Sequence, residues 1–367
     1  MTMPCRFADH ASRCPKDMQP LTRLLVFCAW LIGPVVVGAG CGDLSQEDLV
    51  FRAGVPAKEA VAVVPPGIEA EVDDALAGTA QALSVRRQAV QEACDGDLLC
   101  ETRNVARTFN GLTFFLLDIV DTISALPPSE RSPGRRIWGP HFDGDKGTTF
   151  RFEMNRSDDG ATFSFCLHAV RGFVGRAPDV DCSVEEDAGS GLQRLLSGSF
   201  VPSGIAGQNA RLGTGTMQLE IERLNRLNGE ARVARLVDIA FDHQGGQTDL
   251  HIDLQGTSVG NVERDASYDF FRSAAGDGTL AFDLFADVVQ GDALFDERAL
   301  ERIRLRAAWN ADRAGRALGV VDDGNTTAPL SVEQCWDATL ATVYRRSAAG
   351  DESGDVGMCT LEAPTVE

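Results

Sequence analysis

From residue 150 onward the chain alternates apolar and polar positions with a period of two. Phe150, Phe152 and Met154 alternate with Arg151, Glu153 and Asn155; beyond Asp159-Gly160, Phe163, Phe165 and Leu167 alternate with Ser164, Cys166 and His168. This pattern predicts an antiparallel hairpin about an Asp-Gly turn, with Cys166 on the polar side. Further alternating runs lie near 193–201, 213–223, 230–243, 247–255, 267–273, 278–288, 300–310 and 316–322, separated by Gly, Asn and Asp. About ten strands in succession, with no helices between them, predict an antiparallel meander. Its single apolar side needs a cover, which closure into a barrel or a strongly curved half-barrel provides; a sandwich is the alternative.

Upstream the period changes to three and four. Ile68, Val72, Leu76, Ala80, Leu83, Arg87 and Val90 form one stripe, broken at Asp95-Gly96-Asp97. Asp97 is placed to cap a second helix whose face carries Leu112, Phe115, Leu116, Ile119, Ile123 and Leu126, with Asp118 and Asp121 elsewhere, ending at Pro127-Pro128. So apolar a helix must lie against the sheet, as a plug. Near the C-terminus, Ser331 and Gln334 fit a capping box, predicting a short helix over 331–345 that contains Cys335-Trp336-Asp337. The fold class is therefore α+β, mainly β. The divisions are a signal segment 1–40, a flexible tether over 41–67, a helical hairpin 68–128, a β domain 129–330 and a C-terminal helix with its tail over 331–367.

The N-terminus departs from both rhythms. After Arg23, residues Leu24 to Val37 form an apolar run of 14, interrupted by Pro34 and followed by Gly38-Ala39-Gly40-Cys41. The run is short for about 30 Å of hydrocarbon but suits the apolar region of a signal peptide. Over residues 18 to 43 it resembles the signal peptide and lipobox of bacterial lipoproteins, departing at Gly38, where a branched residue is expected. The resemblance implies acylation of Cys41, which becomes the new N-terminus, and attachment to the membrane through lipid. A start at Met18 gives a signal of ordinary length. Ordinary signal cleavage and an uncleaved anchor are the competing readings.

Setting aside Cys5, Cys14, Cys28 and Cys41 leaves Cys94, Cys100, Cys166, Cys182, Cys335 and Cys359. An even set in an exported chain reads as disulfides. Sequence order favours the pairs 94–100, 166–182 and 335–359, the second clamping the loop 171–191 over the outer face of the sheet. Fifteen connectivities exist for six cysteines. No Cys-x-x-Cys or histidine spacing recommends zinc.

With 34 Lys+Arg against 54 Asp+Glu, the net charge is -20. Such a surface repels nucleic acid, and 44% hydrophobic residues argue against a disordered acidic tail. The sharpest cluster of chemistry is the hairpin around Gly245-Gly246. Putting Val237, Ile239 and Phe241 on the same face as Leu250, Ile252 and Leu254 requires paired residue numbers to sum to an odd value, and a turn centred on Gly245-Gly246 gives 491. The polar face then sets Asp242 opposite Asp249 and Asp238 opposite Asp253, with His251 opposite Ala240. Facing carboxylates repel by about 0.75 kcal/mol in water and about 3 kcal/mol at an effective dielectric of 20. Relief would come from Ca²⁺ held by Asp238, Asp242, Asp249, His251 and Asp253, or from a basic row formed by Arg302, Arg304 and Arg306. The turn Asp322-Asp323-Gly324-Asn325 lacks the later bidentate Glu of a calcium loop, and His168 and His243 read as ordinary polar residues.

No His-Glu-x-x-His, phosphate-binding loop or dinucleotide fingerprint occurs, and no catalytic residue or cofactor is nominated. The β-rich body with its Cys-Trp-Asp segment resembles uncharacterised bacterial lipoproteins, a likeness that implies no activity. The expectation is a lipid-anchored envelope protein with a non-enzymatic binding or structural role, facing the periplasm from the outer membrane and meeting a protein or an apolar ligand. The alternatives are a carrier holding an acyl chain inside the curved sheet, similar to lipoprotein carriers and lipocalin-like barrels, and a hydrolase using paired carboxylates.

Overall fold

The computed structural model describes residues 44–77, 94, 96–144, 147–174, 180–186, 189–204, 211–228, 236–257, 263–286, 301–322 and 329–366. The signal segment, Cys41, the stripe positions Ala80 to Val90 and most of the 322–325 turn lie outside the described residues.

One antiparallel sheet of 15 strands takes up most of the chain, each strand paired with its predecessor. The strands are β1 Glu130–Ser132, β2 Arg135–Asp143, β3 Thr148–Arg156, β4 Phe163–Arg171, β5 Gln193–Pro202, β6 Gly213–Leu219, β7 Leu236–Gln244, β8 Gln247–Thr257, β9 Glu263–Arg272, β10 Gly278–Ala286, β11 Glu301–Trp309, β12 Gly315–Asp322, β13 Leu330–Trp336, β14 Thr342–Arg346 and β15 Glu352–Gly354. The meander is as expected, but it does not close: β1 and β15 are its two edges. It is also longer than ten strands, because β1 and β2 at one end and β13 to β15 at the other add to the runs read from alternation.

Period-two burial holds from β7 to β11, whereas β3 is buried on both faces. Phe241, Leu250, Phe270, Leu280, Ala307 and Ala317 form one cross-strand row over β7 to β12, all buried. Phe152, Phe165 and Ile239 are buried too. The helices are α1 Gln46–Ala53, α2 Glu69–Ala77, α3 Leu98–Ser124 and α4 Ile221–Asn228, with a 3₁₀ turn at Lys58–Val61. Asp97 caps α3 as expected, accepting the Cys100 amide at 3.0 Å. At 27 residues α3 is about 40 Å long. It touches β2 and β3 near one edge of the sheet and β11 to β13 near the other, so the sheet bends around it. Leu116, Ile119 and Ile123 face that core; Leu126, expected on the same face, is exposed beyond the helix end, and Asp118, expected off it, is buried. No described helix is long and apolar enough to cross a membrane.

Three expectations fail. Residues 44–67 are packed, not a free tether: Phe51, Val55, Ala60, Val61 and Val63 are buried, and the 3₁₀ turn touches α3, β7 and β8. Burying Phe51 alone contributes about 1.5–3 kcal/mol, enough to hold a short helix down. The run 213–223 is strand only to Leu219, then turns into α4, where Ile221 and Leu224 bury one helical face. The predicted C-terminal helix over 331–345 is instead β13 and β14. Ser331 pairs with Val320 on the neighbouring strand, and Asp337 accepts the amides of Thr339 and Ala341 to turn the chain.

The disulfides Cys94–Cys100, Cys166–Cys182 and Cys335–Cys359 are all present.

Candidate functional site

The acidic hairpin adopts the register read from alternation. Asp238 faces Asp253, Asp242 faces Asp249, and His251 faces Ala240, with Gly245 and Gly246 both at positive φ in the turn. These side chains project from the face of β7 and β8 away from α3.

Neighbouring strands supply most of the compensation. Gln218 on β6 donates to Asp238 at 2.9 Å, and Thr214 donates to Asp242 at 3.0 Å. On the other side β9 brings Asp269 opposite His251. His251 Nδ1 lies 2.6 Å from Asp269 and Nε2 3.1 Å from Asp253, so one imidazole bridges two carboxylates. The Asp269 hydrogen bond is the main reason its pKa rises above the ordinary value, with the charges of Asp253 and Asp269 adding and partial burial opposing. Asp269 is absent from the sequence reading, because the β8–β9 register is set by residues between two runs and not by either run's alternation.

Two expected forms of relief are not realised. Among the described residues no three His, Cys, Asp or Glu side chains come together as metal ligands; Asp238, Asp242, Asp249, His251 and Asp253 share a face without converging on a Ca²⁺. The basic row of β11 does not reach them either. Asp283 on β10 stands between and binds Arg306 at 2.6 Å and Arg302 at 3.4 Å.

Along β5 to β8 the same outer face carries an open groove of about 380 Å³, lined by Ser197, Thr216, Gln218, Asp238, His251 and Asp253 over Gly198 and Ala240. Hydroxyl, amide and carboxylate groups on a floor of small residues suit a polar partner.

A second polar cluster lies under cover on β3, β4 and β5. Arg135 grips Glu153 with two bonds of 2.8 and 2.9 Å, and Arg151 adds a third at 3.0 Å. Burial works to raise the Glu153 carboxyl, but the hydrogen bonds from Arg135 and Asn155 and the arginine charges outweigh it and hold it below its usual range. His168 donates from Nε2 to the Val184 carbonyl at 2.8 Å, and burial pushes its pKa down. The described part of the cover is residues 180–186, pinned by Cys166–Cys182 and itself anchored by buried Val180. Alternation already put Arg151, Glu153, Cys166 and His168 on one face, and the expected clamp lay over that face. The signal for their burial was therefore in the sequence.

Compared with known proteins, the chain matches no family model, no curated protein and no solved structure.

Proposed function

We propose that this chain is an exported bacterial lipoprotein, anchored through acylated Cys41, whose folded portion does binding or structural work at the periplasmic face of the outer membrane without catalysing a reaction. The observation that supports this most is the placement of α3. Leu116, Ile119 and Ile123 are buried on the side toward which the sheet bends, where a carrier would hold an acyl chain. That favours a filled scaffold over a carrier. The carboxylates of the hairpin lie on an open outer groove, with Asp253 and Asp269 more than half exposed. That setting favours surface contact over the enclosed acid–base pair a hydrolase needs. Three disulfides with neighbour pairing agree with export.

Intact mass of the chain extracted from membranes tests the anchor and the compartment together. The expected mass lacks residues 1–40, carries a lipid increment on Cys41 and lacks six hydrogens for three closed disulfides. An unmodified Cys41, or free thiols at the six paired positions, would overturn the reading.

A further inference from the structure

Arg151, His168 and Arg194 stand side by side on the outer faces of β3, β4 and β5, each the direct cross-strand neighbour of the next. The segment pinned by Cys166–Cys182 covers that face, leaving Arg151 at 1% and His168 at 0% exposure.

The acidic groups of this compartment are each shared between arginines. Glu153 is the carboxylate that Arg151 meets, and Arg135 already holds it through two bonds, so two guanidinium groups share one buried anion. Arg194 has Glu185 and Glu220 at 3.6 Å each, and Arg223 draws on both. Hydrogen bonding is incomplete. Arg151 Nε and Nη1, Arg194 Nε and His168 Nδ1 are buried and meet no partner among the described residues. Buried polar groups are normally satisfied, and charged donors most of all. Because His168 spends its Nε2 proton on Val184, Nδ1 of the neutral ring is left as an acceptor. The cluster thus offers several cationic donors and one acceptor. Sulfate would meet the donors and leave His168 unmet. An oxyanion that still bears a hydroxyl meets both.

We propose that Arg151, His168 and Arg194 form a buried site for a small hydroxyl-bearing oxyanion, hydrogen phosphate being the simplest, beneath the disulfide-pinned segment. The guanidinium groups donate to its unprotonated oxygens, and its hydroxyl donates to His168 Nδ1.

The test is thermal unfolding of the purified full chain, disulfides intact, near neutral pH in phosphate, sulfate or chloride at matched ionic strength. The melting temperature should climb with the logarithm of phosphate concentration, with a smaller shift in sulfate and none in chloride. Arg151→Met, which leaves the Arg135–Glu153 pair in place, should lose the phosphate shift, and His168→Met should bring phosphate and sulfate level. Elemental analysis of wild-type protein dialysed exhaustively into chloride gives a reading independent of whether the variants fold: retained stoichiometric phosphorus supports the site. Equal melting in all three salts with no retained phosphorus would overturn it in favour of buried water. So would equal shifts in phosphate and sulfate for the wild type, or a phosphate shift undiminished in a folded Arg151→Met protein.

Discussion

Gln334 on β13 accepts the backbone N–H of Leu98, the first residue of α3, at 2.6 Å across 236 positions of sequence. Its amide nitrogen donates to Asp97 Oδ1, the helix cap itself, at 3.1 Å and to Thr342 at 2.9 Å. Gln334 therefore does help to cap a helix, though the helix is α3 and not the local one its neighbour Ser331 suggested. The contact ties the start of α3 to the late strands, while Trp138 Nε1, donating to the Leu126 carbonyl at 2.8 Å, ties its end to β2.

Replacing Gln334 with alanine strands a buried helix N–H and loosens Asp97. The expected cost is about 1–3 kcal/mol, the penalty of leaving a buried donor unmet. It should appear in urea titration as a lower midpoint with an unchanged slope. Gln334→Glu, which keeps the acceptor but brings a charge toward Asp97, should fall between alanine and wild type. A midpoint unchanged by alanine would show that water replaces the amide freely.

Asp48, third residue of α1, is buried against β1 and β2. Burial alone would raise its pKa. Hydrogen bonds from Arg131, the Ser45 amide, Arg136 and the Ser45 hydroxyl overcome that and hold the carboxyl well below its usual range. A carboxylate whose pKa is lower in the folded chain than in the unfolded one stabilises the fold above the unfolded value, about 3.9, and that contribution is lost as pH falls through the folded value. Stability should therefore drop steeply below about pH 4. In Asp48→Asn it should be lower near neutrality and flatter on the acid side. Chemical unfolding at a series of pH values reads both effects, and parallel curves for the two proteins would exclude Asp48 as the cause.

How much of this was legible in the sequence varied with the range of the interaction. The β7–β8 register followed from Ile239, Phe241, Leu250 and Ile252 because one turn and one buried face leave a single way to align them. Asp269 and Gln218 were out of reach, since their registers depend on connections that alternation does not measure. Residues 41–67 looked like a tether because the stretch is polar and punctuated by Val55-Pro56 and Pro65-Pro66. Its described part buries anyway, held in part by Asn110, whose side chain accepts from the Val63 amide at 2.9 Å and donates to the Val63 carbonyl at 2.7 Å. The segment 331–345 misled because a local capping signal is weaker than a strand edge waiting at β12.

His251 gives the outer face a pH response of opposite sign. Its pKa is raised above the ordinary value near 6.5, chiefly by the Asp269 hydrogen bond. The bridge to Asp253 and Asp269 is thus fully present below the unfolded value and is lost as pH rises through the folded one. NMR titration of the His251 ring should give a midpoint above 6.5 in the wild type, moving down in Asp269→Asn and less far in Asp253→Asn. An unmoved midpoint in Asp269→Asn would remove the bridge from consideration. Since all three side chains are half exposed or more, the change in global stability should be small.

Cys166–Cys182 closes a sequence separation of 16 and holds the cover over Arg151 and His168. Loop-closure entropy for a ring of that size is worth about 3 kcal/mol. The double replacement Cys166→Ala, Cys182→Ala should lower the denaturant midpoint accordingly. It should also hasten amide exchange in the segment around Val184 and in β4, while leaving β9 to β12 unchanged. Uniform acceleration across the sheet would mean that the bond stabilises the whole fold and not its cover.

Lys58 and Asp118 form an ion pair inside the helical layer, with side chains 8% and 11% exposed; Lys58 also donates to the Ala75 carbonyl at 3.2 Å and stands 5.6 Å from the centre of the Phe114 ring. A buried pair repays little of its desolvation, but breaking it leaves a charge with neither water nor counterion. Asp118→Leu should therefore cost about 3–5 kcal/mol, and Lys58→Met a comparable amount. The double variant Lys58→Met, Asp118→Leu removes both charges and fills the space with apolar side chains, so it should recover much of that loss. Urea unfolding of the four proteins gives the coupling energy directly. If the single costs simply added in the double variant, the two side chains would be acting independently, and the pair would not be what holds the 3₁₀ turn against α3.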